Sequence, residues 1–143
     1  MQVNLDLLRQ RAQEIRNALA GLRGYGRLPQ ETFLSREESV DAAKYRLIVA
    51  IEAALSICTH LAARLAQRTP DSYADCFHVL AENGIVPADL AERLARMARF
   101  RNLLVHLYGQ VDDRRVWQIL HNNLNDLEDY LGAVGKHLKT ALL

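Results

Sequence analysis

The sequence predicts an all-α protein, an antiparallel four-helix bundle with one additional short helix. Half of the 143 residues are hydrophobic and 6% are aromatic, and only three prolines and seven glycines interrupt the chain. Apolar residues recur every three or four positions along four long stretches, and no stretch alternates as a strand does. A chain of this length builds one core of ordinary size, so we expect residues 1–143 to form a single domain.

The first helix is predicted from Leu5 to Leu22. Its apolar seam consists of Leu5, Leu8, Ala12, Ile15, Leu19 and Leu22. Glycines and then Pro29 follow, and these residues are typical of a helix end. Residues 9–27 hold five arginines against one glutamate. This segment is either a patch that meets phosphate or a solvated helix face, and we favour the second interpretation.

The second helix is predicted to begin at Ser35, where Ser35 and Glu38 have the spacing of a capping box. It carries the longest regular apolar seam of the chain: Val40, Ala43, Leu47, Ile51, Ala54, Cys58, Leu61 and Leu65. We therefore expect it to be the central packing helix. Asp41, near its start, is a candidate partner for Arg101 or His106. Asp41 could instead only favour the dipole of its own helix, and we prefer this simpler interpretation.

Three further helices complete the prediction. A short helix covers Tyr73–Glu82, a longer one begins near Pro87 and reaches Leu107, and the last covers Arg114–Leu138. Cys58 and Cys76 lie inside helical patterns and suit buried positions in a reducing cytoplasm.

Composition argues against several functional classes. No C-x-x-C spacing and no Cys/His cluster occurs, so we expect neither a metal nor another cofactor. No apolar run approaches the roughly 18 residues of a membrane span, and the first residues lack the apolar core of a signal peptide. We therefore expect a soluble cytoplasmic protein. The formal net charge of +1 does not by itself indicate a nucleic-acid partner.

The end of the fourth predicted helix carries more chemistry than packing needs: Arg101, Asn102, His106 and Tyr108 fall within eight residues. Steps of about 100° per residue place Asn102 and His106 together on one side. Arg101 and Tyr108 fall at the margin of the opposite, apolar face. An arginine at the edge of a core needs a carboxylate, a phosphate or a subunit interface.

The apolar face of this stretch is predicted to be core. It consists of Met97, Phe100, Leu103, Leu104 and Leu107.

Residues Arg101 to Tyr108 match the R-x4-H-x-Y signature, and the sequence resembles the HEPN superfamily, specifically the HepT-like toxins of bacterial and archaeal toxin–antitoxin pairs. The Arg101-Asn102 opening is also favoured in that family, and the resemblance extends from about Ser35 to Leu138. It implies that Arg101 and His106 form the catalytic site of a metal-independent ribonuclease at a dimer seam. It also implies a nucleotidyltransferase antitoxin (MNT) that attaches AMP to Tyr108.

The side-chain chemistry agrees with that implication. RNA carries its own nucleophile, the 2′-hydroxyl, and its cleavage needs a base, an acid and a cation for the phosphorane. His106 would be the acid/base group, Arg101 would clamp the phosphate, and Asn102 would orient the site. Tyr108 would hold the phosphate or stack on a base. A two-fold homodimer would supply a second imidazole.

Two functional hypotheses remain open. The first is an endoribonuclease toxin that acts on RNA and is neutralised by its nucleotidyltransferase. The second is a non-catalytic helical subunit that binds a nucleotide or substrate for such a transferase, with Arg101 and Tyr108 as contacts. A purely structural role for the motif residues explains each of them separately, but not their combination at one helix end.

Overall fold

The computed structural model describes residues 2–142, which form seven α-helices and one 3-10 turn. In chain order the elements are α1 (Leu5–Gly26), α2 (Gln30–Leu34), α3 (Glu37–Leu65), α4 (Tyr73–Glu82), α5 (Ala88–His106), the 3-10 turn (Tyr108–Gln110), α6 (Asp113–Asn122) and α7 (Asn125–Leu138). The all-α bundle is confirmed. The four long helical segments of the bundle are α1, α3, α5 and the α6–α7 pair. The predicted short helix is α4.

Helix α3 lies at the centre, in contact with α1, α2, α4, α5 and α6. Its predicted seam is buried from Val40 to Leu61, because its neighbours cover it on most sides. Two hydrogen bonds between side chains show that α3 runs antiparallel to α1 and to α5. Arg11, near the start of α1, donates a hydrogen bond to Ser56 in the second half of α3. Tyr108, just after α5, donates one to Asp41 near the start of α3.

Helix α1 continues to Gly26, four residues beyond the predicted end. The glycines do not break it, and at two of the three, Gly21 and Gly26, the surrounding packing leaves little room for a side chain. A Cβ on Gly21 would lie 2.4 Å from the Arg46 guanidinium, and one on Gly26 would lie 2.6 Å from the Leu120 carbonyl oxygen. Tertiary packing outweighs the poor helix propensity of glycine at these positions.

The prediction of a capping box at Ser35 is wrong. Ser35 ends the short helix α2, where its hydroxyl donates to the Thr32 carbonyl at 2.8 Å, and α3 begins two residues later at Glu37. A serine side chain can serve a preceding turn as well as a following helix. Here Phe33 is fully buried and fixes α2, so the hydroxyl is used there.

The predicted helix from Arg114 to Leu138 is two helices, with a break at Asn123-Leu124. Asn122 and Asn123 are weak helix formers, because their short amides compete for backbone hydrogen bonds. The apolar seam continues across the break, since Leu120, Leu124 and Leu127 are all buried. Periodicity therefore predicts the buried face correctly and misses the interruption.

The arginines of residues 9–27 mostly have partners. Arg11 pairs with Glu14, and Arg16 and Arg23 both reach Glu128 of α7. Arg9 donates to Thr140. The contacts of Arg9, Arg16 and Arg23 join α1 to α7 and to the segment that follows it, and they support the structural interpretation of that stretch.

Helix α3 is long and apolar enough, by length and composition, to cross a membrane, although polar residues interrupt its apolar run. The most apolar 18-residue window is 56% buried inside the protein. The central helix of a soluble bundle has the same character, so this window is weak evidence for a membrane span.

We expect Gly26→Ala to destabilise the bundle by about 1–3 kcal/mol, because its new methyl group meets the backbone of Leu120. Gly24→Ala is the matched control. No atom lies within 4 Å of its Cβ position, so the better helix propensity should stabilise the protein by about 0.5–1 kcal/mol. Urea unfolding followed by circular dichroism measures both changes, and equal effects of the two substitutions would contradict this account.

Candidate active site

The candidate site lies where α5 ends. His106 is the last residue of α5, because Leu107 leaves the helical conformation with φ −131° and ψ 41°. The Leu107 amide still donates to the Leu103 carbonyl at 2.8 Å, and Tyr108 begins the 3-10 turn. The motif thus spans the last turns of α5 and the turn that follows, and its side chains leave the backbone in different directions.

Arg101 is held by α3. Its Nη2 lies 3.0 Å from Oε1 of Glu52, its Nη1 donates to Oδ1 of Asn102 at 3.1 Å, and its side chain is only 17% exposed. The guanidinium lies over the Tyr73 ring, with 5.8 Å between its carbon and the ring centroid. A carboxylate was one of the partners expected for this arginine. That carboxylate is Glu52, and Asp41, which the sequence offered as one candidate, does not pair with Arg101.

Beside Arg101 the surface forms a pocket of about 300 Å³ between α3 and α4, lined by Glu52, Leu55, Ser56, Thr59, Tyr73 and Arg101. The Arg101 Nε is buried and has no hydrogen-bond partner among the described residues. The guanidinium is therefore fixed in orientation by Glu52 and Asn102, with one edge turned into the protein.

Tyr108 is tied to the start of α3. Its hydroxyl donates to Oδ1 of Asp41 at 2.6 Å, and the Lys44 ammonium lies 4.3 Å from the centroid of its ring. Lys44 is nearly buried and pairs with Asp113 at 2.7 Å. The hydrogen bond to Asp41, together with burial, raises the pKa of Tyr108 to about 12. The phenol is therefore protonated at neutral pH, although 44% of the residue is exposed.

Asp41 thus has a tertiary partner. It binds Tyr108 rather than Arg101 or His106, a contact that the sequence did not suggest, while a favourable effect on the dipole of its own helix stays a prediction.

His106 is exposed, and its imidazole makes no hydrogen bond to any of residues 2–142. The imidazoles of three other histidines do have hydrogen-bond partners. His60 accepts the Asn4 amide at 2.9 Å, His78 lies 2.9 Å from Glu92, and His121 contacts the Gly26 carbonyl at 3.0 Å. The imidazoles of His106 and of His137, which is exposed on α7, are thus the two without a hydrogen-bond partner among the described residues, and of these two only His106 lies beside Arg101 and Tyr108 in sequence.

Two leucines of the motif lie outside the core. Leu104 is buried as predicted, and so are Met97 and Phe100, but Leu103 is 39% and Leu107 44% exposed. A helical wheel gives the direction of a side chain and not whether a neighbouring helix covers that direction. At this end of α5 only Leu104 reaches the core, so the prediction for Leu103 and Leu107 was wrong.

Arg101 and Tyr108, which are held by Glu52 and Asp41 of α3, lie at opposite ends of one surface. Glu52 and Asp41 are eleven residues apart on α3, which corresponds to about 16 Å along the helix axis. Between them, on the same side of α3, Tyr45 is 69% exposed, and Val105 on α5 is 41% exposed. We call this surface, formed by Asp41, Tyr45, Glu52, Arg101, Val105 and Tyr108, the α3–α5 face. No hydrogen bond connects Arg101 to His106 within the described residues of one chain.

Glu52, Lys44 and Tyr73 contact the motif and were not found from the sequence. A signal existed for Glu52, which is the only carboxylate between Leu47 and Leu65 in an otherwise apolar helix. No comparable signal marks Lys44 or Tyr73, since their contacts depend on how three helices pack. Within residues 2–142, no group of three or more His, Cys, Asp or Glu side chains is arranged to hold a metal ion.

An all-helical bundle with Arg101, His106 and Tyr108 at the end of α5 is the arrangement that the resemblance to HEPN proteins implied. Within that class the chain belongs to the ribonuclease HepT-like family, whose match covers residues 15–134.

Two curated relatives are similar over part of their length. The mRNA nuclease HepT of Shewanella oneidensis is 28% identical over 83 residues, which cover 58% of this chain and 62% of the relative. A relative from Archaeoglobus fulgidus is 38% identical over 77 residues, which cover 54% of this chain and 58% of the relative. The chain spans about three fifths of the length of both.

Solved structures share the fold over nearly the whole chain. The tri-AMPylated Shewanella oneidensis HEPN toxin, solved in complex with its MNT antitoxin, has a TM-score of 0.84 and 21% identity, covering 92% of this chain and 98% of the toxin. The cytosolic protein YutE of Bacillus subtilis, of unknown function, has a TM-score of 0.83 and 18% identity over 96% of this chain and 92% of its own.

Proposed function

We propose that this protein is the toxin of a toxin–antitoxin pair, a metal-independent endoribonuclease that acts in the cytoplasm. The observation that carries the proposal is the exposed His106, whose imidazole has no partner within residues 2–142, five residues beyond an arginine whose guanidinium is held by Glu52 and Asn102. Membership of the HepT-like ribonuclease family supports it. The likeness to a cytosolic protein and the burial of α3 support the location.

In the proposed reaction the imidazole of His106 removes the proton of a ribose 2′-hydroxyl. The 2′-oxygen attacks the adjacent phosphorus, the bond to the 5′-oxygen breaks, and that oxygen takes a proton from a general acid. The Arg101 guanidinium neutralises the charge that develops on the phosphoryl oxygens. Its orientation by Glu52 and Asn102 lowers the cost of organising the site, while Tyr108 contacts the phosphate or a base.

A single chain supplies one His106, while the reaction needs a base and an acid. We therefore propose a two-fold dimer that joins two copies through the α3–α5 face. The exposed Tyr45, Val105 and Tyr108 of this face support the arrangement, since exposed apolar and aromatic side chains on one face mark interaction surfaces. The dimer would place two His106 and two Arg101 side chains along one groove, which compensates for the lack of contact between them in one chain.

We expect His106→Ala to lower RNA cleavage by about 10²–10⁴-fold, the usual contribution of an acid/base group. The measurement is growth and RNA integrity after induction without an antitoxin, with circular dichroism to check folding. His137→Ala, which removes another exposed histidine on α7, is the matched control and should behave as wild type. Intact RNA with the wild-type protein would favour the alternative, a nucleotide- or substrate-binding subunit of a nucleotidyltransferase.

We expect Val105→Glu to convert the dimer to a monomer and to abolish cleavage, because two carboxylates would be buried across the two-fold axis. Light scattering at micromolar concentration measures the mass. Gln10→Glu, which adds the same charge at an exposed position of α1, is the control and should remain dimeric. A wild-type monomer that cleaves RNA would contradict the dimeric site.

We further propose that an MNT-type nucleotidyltransferase neutralises the protein by attaching AMP to Tyr108. The related Shewanella toxin is tri-AMPylated and bound to such an antitoxin. In the transfer, the phenolic oxygen attacks the α-phosphorus of ATP, the bond to pyrophosphate breaks, and the phenolic proton must leave. Asp41, 2.6 Å from the hydroxyl, is placed to receive that proton. A phenol with a pKa near 12 needs such a base at neutral pH.

Asp41→Asn should therefore slow AMP attachment by about 10²-fold or more, because an amide cannot take the proton. The assay is the mass increase of the purified protein with transferase and ATP. Tyr108→Phe should gain no mass, and Asp129→Asn, at an exposed site on α7, should react at the wild-type rate. A full rate with Asp41→Asn would remove Asp41 from the transfer.

A further inference from the structure

The pocket beside Arg101 has room for more than the phosphate that this arginine is proposed to hold. Its volume of about 300 Å³ lies at the lower end of the range of roughly 300–1,000 Å³ that is usual for small-molecule sites. Leu55 is buried, and the other side chains of the lining are polar or aromatic. Of these, Ser56, Thr59 and Tyr73 take no part in the proposed reaction. We call this cavity the Tyr73 pocket.

Tyr73 offers an exposed aromatic surface next to a cation. The residue is 52% exposed, and the guanidinium carbon of Arg101 lies 5.8 Å from the centroid of its ring. Proteins that bind single-stranded nucleic acids combine cationic groups for the phosphates with aromatic side chains on which bases stack. Tyr73 and Arg101 supply both elements at one place, so a nucleotide with its phosphate on Arg101 has an aromatic ring within reach of its base.

The ring of Tyr73 starts from a fixed backbone. Tyr73 is the first residue of α4, and the hydroxyl of the N-cap residue Ser72 accepts a hydrogen bond from the Asp75 amide at 3.0 Å. The carboxylate of Asp75 in turn accepts hydrogen bonds of 2.7 and 2.9 Å from Arg68, in the segment before α4. A side chain whose backbone is already ordered loses less conformational freedom on binding, which favours its use as a stacking surface.

The polar side chains of the pocket have unused hydrogen-bonding capacity on accessible residues. Glu52 is exposed, and Arg101 takes only its Oε1, so Oε2 can accept. Thr59 is exposed, and its hydroxyl donates to the Ser56 carbonyl at 3.1 Å, which leaves the lone pairs of Oγ1. The half-buried Ser56 accepts from Arg11 at 3.0 Å and keeps its hydroxyl proton for donation. Two acceptors and one donor suit the edge of a nucleobase, which carries N–H donors beside ring or carbonyl acceptors.

We propose that the Tyr73 pocket binds one base of an RNA strand, the base of a nucleotide whose phosphate contacts Arg101. The ring of Tyr73 is the stacking surface, and Glu52, Ser56 and Thr59 contact the edge of the base. This inference rests on the proposed ribonuclease function and adds to it a dependence on the base beside the bound phosphate. A phosphate alone would leave the aromatic ring and the three polar side chains without contacts.

The experiment measures RNA binding by the full chain carrying His106→Ala, so that RNA stays intact. Fluorescence anisotropy is followed with labelled single-stranded decamers of A, of C and of U, and with a decamer of the same sugar–phosphate backbone that has no bases. We expect at least one base-bearing decamer to bind about tenfold or more tightly than the abasic one, because a base gains about this much from stacking on an aromatic ring. Adding Tyr73→Ala should lower this ratio by about fivefold or more, while Tyr73→Phe, which keeps an aromatic ring, should retain it.

Thr59→Val should alter the relative affinities for the A, C and U decamers by about two- to tenfold, since it removes one hydrogen bond to the edge of a base. Thr69→Val is the matched control, because Thr69 is also exposed and lies outside the pocket. It should leave the relative affinities unchanged. Circular dichroism checks the folding of each variant.

Equal affinities for base-bearing and abasic decamers would overturn the proposal. So would a Tyr73→Ala variant that weakens the binding of every decamer, including the abasic one, by the same factor, because the ring would then act only through its contact with Arg101. Equal effects of Thr59→Val and Thr69→Val would overturn the proposed contact with the base edge. Intact RNA after induction of the wild type would contradict the proposed nuclease function alone, since these affinities are measured with an inactive variant.

Discussion

The antiparallel packing of α3 against α5 is the constraint on which the site depends. The apolar seam of α3 is buried among five other helices, so its rotation about its own axis is fixed by hydrophobic burial. That rotation presents Asp41 and Glu52 toward α5. The two carboxylates then anchor Tyr108 and Arg101 from outside the core, where the hydrophobic effect alone would leave long polar side chains mobile.

These two contacts fix the orientation of some side chains of the motif and leave another without a contact. Arg101 and Tyr108 are each fixed by a carboxylate, while His106 is exposed and has no partner among the described residues. A fixed cation and a free imidazole are what phosphodiester cleavage by proton transfer requires, since the cation must be oriented and the base must be titratable. The proposed dimer follows from the same division, because one chain keeps its arginine and its histidine apart.

The tyrosine contact links the proposed activity to its proposed control. Asp41 holds the hydroxyl of Tyr108 at 2.6 Å and raises its pKa to about 12, so the phenol stays neutral as long as it has not reacted. Attachment of AMP would break this hydrogen bond and add a phosphate beside Asp41 and Glu37. A bulky anion at one end of the α3–α5 face would oppose RNA by charge and by volume.

By itself the sequence determined the fold class, the buried seams and the motif, because helical periodicity is local and R-x4-H-x-Y is contiguous. It also determined that Arg101 needed an acidic, anionic or interfacial partner. Only the tertiary structure decided that this partner is Glu52 and that Asp41 serves Tyr108, because both pairings join residues about 50 or more positions apart. Likewise Leu103 and Leu107 fall on an apolar face of the helical wheel, and their exposure depends on the absence of a covering helix, which no local pattern records.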